Sequence, residues 1–419
     1  MNNQDIDKPK VVILSDSESS SYKLEEFLSL LNTAGFAPVK SYHQNNKEIN
    51  TRTYLGIGKI AEINEDLREN NVDFDYIVCN FELTALQEKN LSDIFNKEVF
   101  DRTFIILKIF EMNARTKEAK LQVEIAKFNY LKTRLVNDQA AYSQVTSGSK
   151  KNKGEGEKKI ELNRRKINRI IALKKSQLEE IKLSRRTMRK KRRESNYPIV
   201  VIVGYTNAGK STLMNHLLDY SHQQVDKHVY AKDELFATLE TSSRLIEPFD
   251  YPSFIAIDTV GFISDLPIFL VDAFKSTLEE IKEADIILQV VDISSSEYLK
   301  EIEATNSVLK ELDVLDIPML YLLNKSDKVK RFTSLPKEDE LYTSLLDEMD
   351  IPDILSFLWH KISENWEKKT FLFPYNEDFY QFKRDNFVIN VKEKEDGYLC
   401  TAFLNPLTLF KYQAYLREV

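Results

Sequence analysis

Residues 204–212 read Gly204-Tyr205-Thr206-Asn207-Ala208-Gly209-Lys210-Ser211-Thr212, the spacing GxxxxGK[ST], and they follow the apolar run Ile199–Val203 directly. Glycines at those positions let successive backbone N–H groups turn inward on phosphate oxygens. The lysine can reach the β and γ phosphates, and the hydroxyl of Ser211 can hold Mg²⁺. The apolar run predicts a buried strand, and Leu213–Leu218 the helix that a phosphate loop needs on its far side. The chain therefore reads as nucleotide-binding.

Two further strand ends decide which nucleotide. Phe254–Asp258 is a second apolar run, here ending in a carboxylate, and Thr259, Val260 and Gly261 complete an Asp-x-x-Gly pattern. The Asp can support the Mg²⁺ shell, and an amide without a side chain can approach a γ-phosphate. Met319–Leu323 runs into Asn324-Lys325-Ser326-Asp327, which resembles the guanine-reading motif of GTPases. A carboxylate there accepts two N–H donors that guanine has and adenine lacks, so a mismatched base leaves it unpaired. GTP is the expected substrate. The residue after Gly261, where many GTPases place a water-orienting Gln, is Phe262, whose ring can neither donate nor accept the needed hydrogen bond. No catalytic side chain is therefore assigned, and slow hydrolysis, accelerated by a partner, is expected.

Composition bounds the classes. At 419 residues and 42% apolar the chain is long enough for several cores. It has no long uncharged apolar run and no basic or apolar start, so it is expected to be neither membrane-spanning nor secreted. Cys79 and Cys400 form no metal or disulfide pattern. The net charge of −7 hides an asymmetry: Ser149–Arg193 holds 19 Lys and Arg against 5 Asp and Glu, or +14, leaving −21 elsewhere. A basic arm on an acidic body points to a polyanionic partner such as nucleic acid.

The expected architecture is α/β and multidomain, in four parts: a small α/β domain over 1–113, an antiparallel helical hairpin with a basic loop over 114–196, a P-loop GTPase domain over 197–365 and a small α/β domain over 366–419. In the first, Val11–Leu14, Tyr76–Cys79 and Phe104–Ile109 read as strands and Tyr22–Ala34 as a helix; Gly56-Ile57-Gly58-Lys59 reads as a plain turn rather than a second phosphate loop. The hairpin seam is expected from Leu121, Ile125, Phe128, Leu131 and Leu135 facing Ile160, Ile167, Ile171, Leu178 and Ile181, with Asn137–Gly156 as a loop and Pro198 ending the second helix. Lys150, Lys151 and Lys153 in that loop suit phosphate contacts. Phe371–Phe373, Phe387–Val391 and Leu399–Leu404 read as strands of the last part, with no catalytic constellation.

The whole chain resembles the HflX family of bacterial GTPases. The resemblance is carried by Tyr54–Lys59, Asp101-Arg102-Thr103 with Ile109 and Phe110, Ala114-Arg115-Thr116 through Lys120–Glu124, Gly154–Glu157 to Arg164 and Arg165, and the phosphate loop. It implies a cytoplasmic, ribosome-associated GTPase, monomeric when free, that binds the 50S subunit and its rRNA and with GTP splits stalled ribosomes, its hairpin loop approaching the peptidyl-transferase centre. It implies RNA contacts at Lys150, Lys151, Lys153, Arg164 and Arg165. It makes Phe236, Ala237, Thr238 and Leu239 part of switch I, with Thr238 the second Mg²⁺ ligand beside Ser211. Ser344, followed by Leu345 where the family has Ala, is matched to the base-proximal motif. The loop departs from the family: Thr146–Glu157 has lysines where most members carry glycines and a proline. Two readings of that change stay open, rescue of antibiotic-stalled ribosomes or compositional drift. A nucleotide-controlled switch or an RNA-remodelling NTPase that does not split ribosomes is the alternative function.

Overall fold

The computed structural model describes residues 8–16, 21–45, 48–145, 153–194, 197–221, 236, 242–248, 250–264, 267, 270, 278–330, 335–346, 348–364, 366–404 and 410–417. They form two compact units, one built from the chain up to Arg185 together with Phe236, Pro267 and Leu270, the other from the rest of the chain from Arg186 onward.

In the first unit β1 (Lys10–Ser15), β2 (Ala37–His43), β3 (Tyr76–Cys79) and β4 (Glu98–Phe100) make a parallel sheet in the order β2-β1-β3-β4. The helices α1 (Ser21–Thr33), α2 (Ile57–Glu69), α3 (Ala85–Phe95) and α4 (Arg102–Asn113) connect and follow its strands. Val11–Leu14 is fully buried, as a central parallel strand covered on both faces must be. The expected strand Phe104–Ile109 is instead the body of α4. Asp101 starts it, accepting from Phe104 N at 2.9 Å, and α4 packs against both α1 and the following helix α5 (Lys117–Val145). A helix covered on opposite sides needs apolar residues all round, which erases the helical period and leaves a strand-like run. The expected plain turn at Gly56–Lys59 is instead a short lead-in and the first residues of α2: Gly56 is its N-cap and donates from N to Gln44 Oε1 at 2.7 Å, and Lys59, already helical, pairs with Glu62 at 2.7 Å.

α5 (Lys117–Val145) and α6 (Lys153–Glu194) form the hairpin. Ile125, Ile171 and Leu178 are buried together, with Phe128 and Ile167 packed on them, and Lys174 reaches Glu124 at 2.6 Å. Leu131 leaves the expected seam and is 45% exposed. The expected loop Asn137–Gly156 is helical up to Val145 and again from Lys153; Asn137–Val145 contains no Gly or Pro and carries Ala140 and Ala141, so nothing in it breaks the helix. The side chain of Ile160 lies outside the described residues. Asp101 fixes the hairpin root: it accepts from Tyr130 Oη at 3.1 Å and pairs with Arg134, which also meets Glu88 at 3.0 Å. Arg102 pairs with the buried Glu26 and donates to Asn80 Oδ1 at 2.9 Å. The Asp101-Arg102-Thr103 segment is thus a buried ion-pair junction, where removing one partner costs far more than the pair contributes.

The second unit holds β5 (Ile199–Gly204), α7 (Lys210–Asp219), β6 (Ser242–Ile246), β7 (Phe254–Asp258), β8 (Ile286–Asp292), α8 (Tyr298–Glu311), β9 (Met319–Asn324), β10 (Glu340–Tyr342) and α9 (Ile351–Ile362). The sheet order is β10-β9-β8-β5-β7-β6, with β6 antiparallel and the rest parallel. The C-terminal ends of β5, β7, β8 and β9 therefore share one edge, where open α/β sheets bind ligands. β11 (Glu367–Phe373), α10 (Glu377–Asp385), β12 (Phe387–Lys394), β13 (Gly397–Leu404) and β14 (Leu416–Arg417) add an antiparallel sheet in the order β12-β13-β11-β14. Phe387 from that sheet enters the GTPase core beside Trp359 and Tyr251. No described helix is long and apolar enough to cross a membrane.

Candidate functional site

The site is assembled at the ends of β5, β7 and β9. β5 leaves the sheet through Gly204 at φ +144°, where a Cβ would lie 2.2 Å from the carbonyl oxygen of Val290 on β8. Only glycine fits a backbone this close to its neighbour. Gly204→Ala should therefore cost more than about 3 kcal/mol of stability. In urea unfolding its midpoint falls well below wild type, whereas Gly58→Ala, with open space around its Cβ, leaves the midpoint unchanged or raised; equal midpoints for the two variants would refute this reading of the strand end.

From Gly204 the loop passes over the sheet edge to Gly209, at φ +109°, and α7 begins at Lys210. A Cβ on Gly209 would meet Asn324 Nδ2 at 2.4 Å. That space is used by Asn324, which is buried and donates to Ala208 O at 2.7 Å. Lys325 donates to Asn207 O at 3.0 Å and pairs with Asp292, at the end of β8, at 2.7 Å. The motif at the end of β9 thus braces the phosphate loop. Asp327 is exposed in the turn Ser326–Lys328, with no hydrogen bond or ion pair among the described residues. Ser326 N donates to Thr343 O at 3.0 Å, and Ser344 N to Asp350 Oδ2 at 2.7 Å, so Ser344 lies beside the same motif.

On the other side, Ser211 Oγ donates to Asp258 Oδ2 at 2.9 Å. Thr259 is buried and bonds Ile202 O at 2.8 Å, and Val260 is buried beside it. Gly261 passes so close to the loop that a Cβ would stand 2.8 Å from Thr206 Cα and 3.0 Å from Lys210 Nζ. Phe262 is held from both sides, its N donating to Gly204 O at 3.1 Å and its O accepting from Thr206 N at 2.7 Å. Its ring is buried. Lys210 is fully enclosed and donates to Tyr205 O at 2.6 Å; burial pushes its ammonium down to about 8, opposed by the charges of Asp258 and Glu301. A desolvated ammonium at the start of α7, where the first-turn amides lack intrahelical partners, is a receptor for phosphate.

The structure brings together residues 204–212, 258–261, 324–327 and Ser344. Phe236 packs in the first unit, its ring edge-on to Phe110 at 4.7 Å and its carbonyl accepting from Asn113 Nδ2 at 2.8 Å. Ala237, Thr238, Leu239, Lys150 and Lys151 lie outside the described residues, as does the side chain of Lys153. Arg164 and Arg165 are exposed on α6, Arg165 pairing with Glu161 at 3.0 Å. Sequence reasoning missed a clip: Tyr205 Oη accepts from Ser264 N at 2.6 Å and bonds Ser264 Oγ at 2.7 Å, tying the phosphate loop to the segment after Gly261. It also missed Asp292 and Asp350.

Comparison with known proteins decides the family. Residues 21–111 match the family model described as "GTP-binding GTPase N-terminal", 113–192 its "Middle Region", and 199–325 the "50S ribosome-binding GTPase". The chain is 41% identical over 316 residues to GTPase HflX of Lacrimispora saccharolytica, covering 75% of this chain and 72% of the relative. The HflX of Caldanaerobacter subterraneus is 37% identical over 375 residues, covering 89% of this chain and 85% of the relative. The chain belongs to the GTPase HflX family. The HflX of Escherichia coli is 36% identical over 372 residues, covering 86% of this chain and 85% of that relative. Membership and the P-loop geometry together make the chain a GTP hydrolase. GTPases of this kind use Mg²⁺ with GTP, and the donor set fits: the Ser211 hydroxyl and the Asp258 carboxylate are hard oxygens side by side at the mouth of the loop.

Proposed function

We propose that this HflX-family GTPase acts in the cytoplasm on the large ribosomal subunit and, in its GTP state, splits stalled ribosomes into subunits. The basic arm of the hairpin is the observation that carries the reading: a charge of +14 over Ser149–Arg193, borne from Lys153 onward by the single helix α6, with Arg164 and Arg165 exposed. Such an arm suits phosphate-backbone contacts with rRNA, and the hairpin tip, with Lys150, Lys151 and Lys153, is the part we assign to the approach towards the peptidyl-transferase centre. Further support is the description of the family model matched by residues 199–325, a 50S ribosome-binding GTPase. The lysine-rich tip further suggests action on drug-stalled ribosomes.

The site residues take these roles. Backbone amides of Asn207 and of Gly209–Ser211 and the Lys210 ammonium hold the phosphates. Ser211 and Thr238 hold Mg²⁺, while Asp258 supports the metal's shell. Asp327 reads guanine, and Ser344 lies at the base. The γ-phosphate is sensed at the Gly261 amide, and the Phe262–Thr206 and Tyr205–Ser264 bonds couple that amide to the phosphate loop. With Phe262 buried as an anchor, its side chain offers nothing to orient the attacking water, so free turnover is slow and the docked ribosome completes the site.

The test is sedimentation of 70S ribosomes with the protein and GDP, GTP or a non-hydrolysable analogue. Separated subunits with GTP or the analogue, and intact 70S with GDP, are expected. Intact 70S under every nucleotide would refute splitting.

A further inference from the structure

A second cleft lies wholly within the first unit. It encloses 330 Å³ between the sheet and α5, walled by Phe36, Tyr76, Phe100, Phe104 and Tyr130, with Lys108 among them. The rings form a continuous chain: Phe36 and Tyr76 meet edge to face at 6.2 Å, Tyr76 and Phe100 lie 5.3 Å apart, and Phe100 stacks on Phe104 at 4.1 Å. The Lys108 ammonium stands 3.8 Å above the Phe36 ring. Burial lowers its pKa, and among the described residues no carboxylate lies within ion-pair distance of it. The other charges at the cleft are already matched, Lys127 pairing with Glu111 at 2.7 Å. The Tyr130 hydroxyl is used too, donating to Asp101 and accepting from Arg134. What remains is an aromatic slot with one positive charge that rests on the Phe36 ring and that no carboxylate answers.

We propose that this cleft binds a planar aromatic carboxylate, its ring against the aromatic wall and its carboxylate on Lys108. The volume suits a one- or two-ring acid, at the small end of ligand pockets, roughly 300–1,000 Å³. Aromatic contacts and a desolvated cation both favour a flat anion. A nucleobase fits less well, because the wall offers its polar edge only the Lys108 ammonium and the Tyr76 hydroxyl, and the rest of that edge would be left unsatisfied. Since Lys127 and Tyr130 come from α5 and Phe36 and Tyr76 from the sheet domain, an occupant would bridge the hairpin root to the domain that carries it.

The test uses the full chain saturated with GDP, so that the phosphate loop is filled, titrated with 2-naphthoate and, separately, with neutral 2-naphthylmethanol and with AMP. Expected is single-site binding of naphthoate that weakens at least about tenfold in Lys108→Met and recovers in Lys108→Arg, with naphthylmethanol weak and indifferent to the substitution. Leu131→Trp, at the exposed rim, checks the location without touching Lys108 and should abolish binding while thermal melting stays unchanged. Absence of saturable naphthoate binding, equal affinity in Lys108→Met, or tighter binding of AMP than of naphthoate would overturn the assignment.

Discussion

Lys210→Ala lowers GTP turnover by at least about 100-fold while leaving the nucleotide-free protein at least as stable as wild type. The first half follows from what the ammonium faces. It donates to the loop carbonyl of Tyr205, and burial disfavours its charge. A preorganised charged donor in a dry site contributes about 2.7–4 kcal/mol to a transition state whose charge develops beside it, a factor of roughly 10²–10³. The second half follows from the same burial. At pH 7 the group is charged in both the folded and the unfolded chain, since its folded value of about 8 and its ordinary value of 10.5 both lie above 7. The desolvation cost is then fully present in the fold, and deleting the charge removes it. Turnover assays and thermal melting without nucleotide check the two halves separately; a variant that melts early would mean that Lys210 holds the fold rather than the phosphates.

Asp327→Asn moves the preference of the enzyme from guanine to xanthine nucleotides, with GTP affinity falling by about 10²-fold or more. The motif divides its work. Asn324 and Lys325 are occupied with Ala208 O, Asn207 O and Asp292, so they shape the loop. Asp327 alone is exposed and unengaged among the described residues, in a turn held by the bond from Ser326 N to Thr343 O. A carboxylate matches the N1–H and N2–H donors of guanine, and an amide leaves one of them facing another donor; xanthine, with an oxygen at that position, restores the match. Competition binding of GTP and XTP to wild type and variant measures the shift. Unchanged GTP preference would remove Asp327 from the base site.

The motifs were legible because each is a short stretch at a strand end, where residue type and backbone course are set locally. Gly204, Gly209 and Gly261 show the physical reason directly, since a Cβ at any of them would meet another segment of the site within 3 Å. The helical seam through Ile125 and Ile171 was legible from its period, but not the outward turn of Leu131 or the full length of α5. What failed was anything fixed by distant packing. α4 read as a strand because two neighbours cover it, and the Tyr205–Ser264 clip joins residues 59 positions apart with no spacing to betray it. Phe262 announced a missing glutamine in the sequence, but its second role, an anchor bonded on both sides to the phosphate loop, needed the fold. The strands β2 and β4 were also missed: β2 is half exposed and β4 only three residues long, so neither carries an apolar run.

Among the described residues of the GTP site no side chain is placed to position the attacking water, and we propose that the large ribosomal subunit completes it. GTP turnover at saturating nucleotide, measured with and without purified 50S subunits, tests it most directly. Slow turnover alone and an acceleration of at least about tenfold with 50S, lost in Lys210→Ala, are expected. Equal rates with and without subunits would contradict it.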